Sequence, residues 1–229
     1  MTKQFLYDDL EILYEDRDLL AVNKPEGLAS IHDNAGESLD LQTILSEHYK
    51  TKILVVHRLD KEVSGIILFA KNEKTHKLLN KQFADRTVKK SYTAIVHGII
   101  EKENGEIRFP IREFGSGRMG VDSKKGKPSK TFYSIAEKLF PYTLVELNPT
   151  TGRRHQLRVH LYAIGHSIVG DKRYGDNELQ DKFPRLMLHA KSICFVKPDR
   201  KELLIEAPVP ESFLKFLKEI KSSVHGKEK

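Results

Sequence analysis

The sequence predicts an α+β fold with a mixed, mostly antiparallel β-sheet flanked by helices and loops. Three observations lead there. Short apolar runs with strand character recur along the 229 residues, while a few other segments carry helical spacing. The two kinds do not alternate in a regular βαβα order. No internal repeat is present, and no linker is long enough to separate two domains. The expectation is one domain over residues 1–221, with residues 222–229 as a flexible tail.

The elements follow in order. Ile12–Tyr14 and Leu19–Val22 flank the turn Glu15–Asp18 as a hairpin, and Asn23–Gly27 reads as a turn. Ser38 is placed to cap a short helix through about Tyr49. Ile53–Val56 and Gly65–Ala70 read as buried strands separated by the polar stretch His57–Ser64. Asn72 should cap a helix to about Asp85, with Leu78, Leu79 and Phe83 facing inward. Ser91–Val96 is β-rich, and Phe114–Lys130, rich in glycine and lysine, reads as a mobile basic loop. Thr131–Ile135, Thr143–Leu147, Ile193–Val196 and Leu203–Ala207 read as strands, and Leu186 and Leu188 would share one side of a strand. Leu157, His160, Leu161 and Ile164 give one helix, closed by Gly165, and Phe213, Phe216, Leu217 and Ile220 give a C-terminal helix that frays from Ser222.

Composition narrows the function. Lys and Arg number 39 against 32 Asp and Glu, a formal charge of +7. That excess favours a polyanionic partner, nucleic acid first, although net charge also serves solubility. The single cysteine, Cys194, lies in an apolar run and reads as a buried small hydrophobe; it can form neither an internal disulfide nor a cysteine-rich zinc site. The N-terminus has no apolar core of a secretory signal, and no apolar run approaches a membrane span. A cytoplasmic protein without membrane association is expected.

Two constellations could carry chemistry. The first is His57-Arg58-Leu59-Asp60-Lys61-Glu62-Val63-Ser64-Gly65, a polar loop between apolar strands, where a rigid scaffold presents reactive groups. Cations beside a carboxylate favour its ionised, nucleophilic form. Taken alone, the pattern reads first as a surface turn with a routine ion pair. The second packs three arginines and two histidines into Arg153–His160 at a helix start, an arrangement that can grip phosphate or be an ordinary basic helix face. Its histidines, His155 and His160, are five residues apart and share no helical face, so no metal site is expected. No nucleotide-binding fingerprint occurs; Gly165–Gly175 and Arg185–Ala190, each read alone, are structural.

Together these segments carry a resemblance. The stretches His57–Gly65, Lys90–Ala94, Gly152–His160, Gly165–Gly175 and Arg185–Ala190 occur in the order found in the RluA-type RNA pseudouridine synthases. The opening Leu19–Leu28 also resembles that family's first motif, so the likeness runs from about Ile12 to Pro208. Two departures stand out. Val63 replaces the usual Thr, and too few residues precede Ile12 for the S4-like RNA-binding domain of many relatives. The chain therefore resembles the stand-alone catalytic members, and a pseudouridine-synthase-like catalytic domain is the fold the resemblance implies.

The resemblance also implies a chemistry. The family isomerises uridine within RNA: the N-glycosidic bond breaks, the uracil turns, and a C–C bond forms through C5. No redox change occurs, so no cofactor and no metal are expected. Asp60 matches the essential carboxylate, Arg158 the basic residue that pairs with it, and Tyr92 the tyrosine that stacks on the base. Leu188 would supply the apolar wall opposite Tyr92. Arg58 could fill the space of the flipped base and His57 could bind a neighbouring phosphate or base. Arg153, His155, Gln156, Lys124, Lys125 and Lys127 are the remaining candidates for RNA contact. Ribosomal large-subunit RNA or tRNA is the expected partner, not DNA, and a monomer the expected state. Two alternatives stay open: a non-catalytic RNA-binding or ribosome-assembly factor, and a nuclease using His57 and His155 as acid and base.

Overall fold

The computed structural model describes residues 5–32 and 39–225. It is an α+β protein whose strand pairings are mostly antiparallel, and its residues group into two compact units. The first comprises Met1–Lys90 and Ala190–Pro208, the second Ser91–His189 and Val209–Lys229.

In the first unit, a 3-10 turn at Tyr7–Asp9 precedes the hairpin of β1 (Glu11–Glu15) and β2 (Leu19–Lys24). Asp16 closes the turn, its Oδ1 accepting from the Asp18 and Leu19 amides at 2.8 Å each. The segment read as a turn from Asn23 begins later, because Asn23 and Lys24 still belong to β2. The helix α1 (Leu41–His48) starts from Asp40, whose carboxylate accepts from the Thr43 amide at 3.0 Å. Ser38, the expected cap, lies outside the described residues.

The strand expected over Ile53–Val56 shrinks to β3 (Leu54–Val55), which pairs with β4 (Ser64–Ala70). β4 is buried along its whole length and also pairs with β2. Asn72 caps α2 (Glu73–Ala84) through the Thr75 amide, as its side chain predicts. Leu79 of α2 is fully buried, whereas Leu78 and Phe83 are only partly covered.

The strand β5 (Lys89–His97) leads into the second unit, where the strand order is β5-β10-β9-β6, all antiparallel. Here β6 is Asn104–Ile107, β9 Thr131–Leu139 and β10 Tyr142–Pro149. Both β9 and β10 run several residues beyond their apolar cores. The region read as a mobile basic loop, Phe114–Lys130, contains β8 (Met119–Val121), which forms a two-stranded hairpin with β7 (Ile111–Glu113) just before it. Lys127 closes it by exchanging two backbone hydrogen bonds with Ile111, at 2.8 and 3.0 Å. The physical reason is a small core that glycine and lysine content hides: Ile111, Met119, Val159 and Tyr174 pack together, each at most 8% exposed.

α3 (Gln156–Ala163) follows, entered through His155 in the left-handed region (φ 54°) and closed by Gly165 (φ 85°). A short α4 (Asn177–Gln180) comes next, then β11 (Leu188–Val196), which pairs with β12 (Glu202–Glu206). Leu186 lies before β11, so it shares no strand with Leu188. Cys194 is partly exposed, with its thiol donating to Glu202 at 3.2 Å, rather than buried in the core. α5 (Glu211–His225) buries Phe213 and Ile220, and it continues past the point where fraying is expected. Among the described residues no helix is long and apolar enough to cross a membrane.

Candidate active site

Asp60 sits in the loop between β3 and β4, and the loop is pinned on both sides of it. Before Asp60, the Ser30 hydroxyl donates to the Leu59 carbonyl at 2.8 Å and accepts from the Leu59 amide at 3.1 Å. After it, the Lys61 carbonyl accepts from the Gly27 amide at 2.8 Å and from the Lys24 ammonium at 3.2 Å. The Val63 amide closes a turn onto the Asp60 carbonyl at 3.1 Å. Val63 itself is 3% exposed, so at the position of the family's usual Thr this chain packs an apolar side chain inward.

Lys24 is fully buried. Its ammonium donates to the Pro25, Leu28 and Lys61 carbonyls at 2.8, 2.8 and 3.2 Å. A buried ammonium is tolerable only with several such acceptors. Lys24 thus ties the loop after β2 to the loop that carries Asp60. Gly65 completes the frame. It has φ 112° and lies so close to Ala190 that a Cβ there would overlap the Ala190 backbone. Lys24 falls in the stretch Asn23–Gly27 that reads as a turn, and no local pattern in the sequence marks Ser30.

The residues flanking Asp60 take different parts. Arg58 is exposed. His57 is partly buried. Its ring stacks on Phe83 with centroids 4.9 Å apart, and its Nε2 accepts from the Leu68 amide at 3.0 Å. Burial, aided by the charge of Lys90, pushes its pKa down to about 3, so the ring is neutral at physiological pH. One ring nitrogen of His57 is thus engaged by the fold, and the neutral ring is a poor base at physiological pH. Lys90 lies 6.0 Å from the Phe83 ring centre, and burial holds its pKa below the ordinary lysine value.

The other candidates belong to the second unit. Tyr92 is half-buried on β5, opposite Leu147 of β10, and Leu188 is 3% exposed at the start of β11. Arg158 is buried on α3. Its Nε and Nη2 donate to the two oxygens of Asp171 at 2.8 Å each, and its guanidinium carbon lies 5.3 Å from the Tyr174 ring centre. Gly170, just before Asp171, adopts φ 78° where a Cβ would overlap the Arg185 carbonyl.

Gln156 is spoken for by the fold, which corrects its assignment to RNA. Its carbonyl oxygen accepts from the Thr151 hydroxyl at 2.6 Å and the Arg153 amide at 3.1 Å. Its NH2 donates to the Lys130 carbonyl and the Thr131 hydroxyl at 3.0 Å each. With four bonds made and 4% exposure, it has no capacity left. His155 places Nδ1 2.7 Å from the Tyr174 hydroxyl. The partly exposed Arg153 donates to the Pro128 carbonyl through Nε and Nη2 at 3.3 Å each. Lys124, Lys125 and Lys127 are exposed at the hairpin's end, where Asp122 accepts from the Lys124 and Lys125 amides at 2.9 Å each.

The pinned loop holds Asp60 at a fixed place, with Glu62 two residues on, in an α+β chain of formal charge +7. Comparison with known proteins gives the class. The family model for RNA pseudouridylate synthase matches residues 18–163. The chain is 39% identical over 191 residues to the dual-specificity RNA pseudouridine synthase RluA of Vibrio cholerae, covering 82% of this chain and 78% of that one. It is 36% identical over 225 residues to ribosomal large subunit pseudouridine synthase C of Buchnera aphidicola, covering 91% and 70%. Among solved structures, human RNA pseudouridylate synthase domain containing 4 superposes with a TM-score of 0.76 at 27% identity, over 92% of each chain. The chain belongs to the RNA pseudouridine synthase family. It is an isomerase that acts on RNA.

Proposed function

We propose that Asp60 is the carboxylate with which this synthase isomerises uridine, and that its substrate is a structured RNA, ribosomal large-subunit RNA first and tRNA second. The observation that carries the assignment is the pinning of the Asp60 loop by Ser30, Gly27 and Lys24. A nucleophile or base must be held within a fraction of an ångström of its target, and a loop without such ties would not hold it. The name of the Buchnera relative supports the ribosomal choice.

The remaining roles follow the sequence resemblance. Arg158 acts as the basic partner of the carboxylate, Tyr92 stacks on the target base, and Leu188 lines the base's pocket. Arg58, exposed beside Asp60, stacks in the place of the flipped base. Lys124, Lys125 and Lys127, with Arg153 and His155, contact the backbone. Residues 1–221 serve as one catalytic domain, working as a monomer in the cytoplasm on RNA rather than DNA.

The test compares RNA from cells with and without the gene, mapping pseudouridine at single-nucleotide resolution by carbodiimide adducts. One or a few sites should vanish and return with wild-type protein but not with Asp60→Asn. Sites restored by Asp60→Asn would refute the assignment, and no lost site would favour a non-catalytic RNA-binding factor.

A further inference from the structure

Arg158 is held more elaborately than a basic residue on a helix needs to be. Asp171, with no exposed side-chain surface, receives four donors: Arg158 Nε and Nη2 at 2.8 Å each, and the Arg173 and Tyr174 amides at 3.0 and 3.1 Å. The two amides fix the carboxylate, and the two-point fork then fixes the plane of the guanidinium. Tyr174, 1% exposed, lies against that guanidinium. Its hydroxyl accepts from the Met119 amide at 3.2 Å, and it meets Nδ1 of His155, the residue that opens α3, at 2.7 Å. Arg118 stands 5.2 Å from the same ring centre. One tyrosine therefore touches the helix that carries Arg158 and the hairpin that ends in Lys124, Lys125 and Lys127.

A buried ion pair of this kind contributes little net stability, because desolvation offsets attraction. What it does supply is a single orientation for a side chain that otherwise has many. We propose that Asp171 and Tyr174 are positioning residues for Arg158, and that Tyr174 locks the lysine-bearing hairpin to the same arginine. The inference rests on the reading that Arg158 takes part in catalysis. Phosphate gripped by the hairpin then bears on the arginine through Tyr174, so RNA binding and Arg158 placement are mechanically joined.

The experiment measures kcat, KM and RNA affinity for Asp171→Asn, Tyr174→Phe, Arg158→Ala and the double variant Asp171→Asn with Arg158→Ala, alongside thermal unfolding. Asp171→Asn keeps shape and loses charge. It should lower kcat by about tenfold or more, with KM within about threefold. In the Arg158→Ala background it should have no further effect, since a residue that acts through another cannot act without it. Tyr174→Phe keeps the ring in its core and should lower kcat by a few-fold; it carries the test if Asp171→Asn fails to fold. Wild-type kcat in both Asp171→Asn and Tyr174→Phe, with Arg158→Ala impaired, would overturn the inference, as would full additivity in the double variant. Wild-type kcat in Arg158→Ala would instead overturn the reading beneath it.

Discussion

Replacing Lys24 by Met should both destabilise the protein and slow it. The ammonium makes three hydrogen bonds, to the Pro25, Leu28 and Lys61 carbonyls. All three carbonyls would lose this donor, but Lys61 would keep its bond from the Gly27 amide, so the loss falls mainly on Pro25 and Leu28. Each buried acceptor left short costs about 1–3 kcal/mol, and relief of the buried charge offsets part of it, giving a net loss of about 3 kcal/mol. For a chain of this size each kcal/mol moves Tm by about 2–4 °C, so the variant should melt about 6–12 °C lower. Calorimetry reads that directly. Turnover measured well below the new Tm separates the second effect, because the Asp60 loop loses one of its ties even in the folded protein. A variant that melts with the wild type and turns over at the same rate would refute the claim that Lys24 holds the site.

Three further outcomes are expected. Because burial depresses the pKa of His57 to about 3, the unfolded chain takes up this proton near pH 6.5 and the folded one does not. Stability from this group is full above about pH 6.5 and falls as pH drops toward 3, by at most about 1.4 kcal/mol per pH unit. Thermal melts of His57→Gln from pH 7 to 4.5 should show a shallower decline than wild type, and an equal decline would contradict a neutral buried ring. Changing Lys124, Lys125 and Lys127 together to Ala should weaken RNA binding and flatten the dependence of log affinity on log salt by about 2–3, if each neutralises one phosphate; an unchanged slope would exclude the hairpin from the RNA surface. Gly65→Ala should cost more than about 3 kcal/mol, since it adds strain at positive φ to overlap with Ala190, and chemical denaturation would show it.

Much of the frame was legible because its signals are local. The buried strand β4, the Asn72 cap and the helix from Gln156 to Ala163 each announce themselves within a few residues. The site was legible only in part. Taken alone, Asp60 reads as part of an ordinary charged turn and only the resemblance singles it out, while what holds its loop is not visible at all. Lys24 looks like a solvated lysine until its three carbonyl acceptors are brought around it by residues up to Lys61. Gln156 looked free to meet RNA because its partners Lys130 and Thr131 are over twenty residues away in sequence. The hairpin of β7 and β8 was hidden for a similar reason: its own apolar contribution is Ile111 and Met119, and their packing partners Val159 and Tyr174 are distant in sequence.

The most direct test of Asp60 uses purified protein and RNA transcripts carrying tritium at uridine C5. Forming the new bond through C5 expels that label, so its release counts isomerisation events. Wild-type protein should release it from the mapped site, while Asp60→Asn should release none above background and still bind the transcript within a few-fold. Release by Asp60→Asn at a rate within about tenfold of wild type would contradict the assignment, because a reaction that needs this carboxylate cannot run without it.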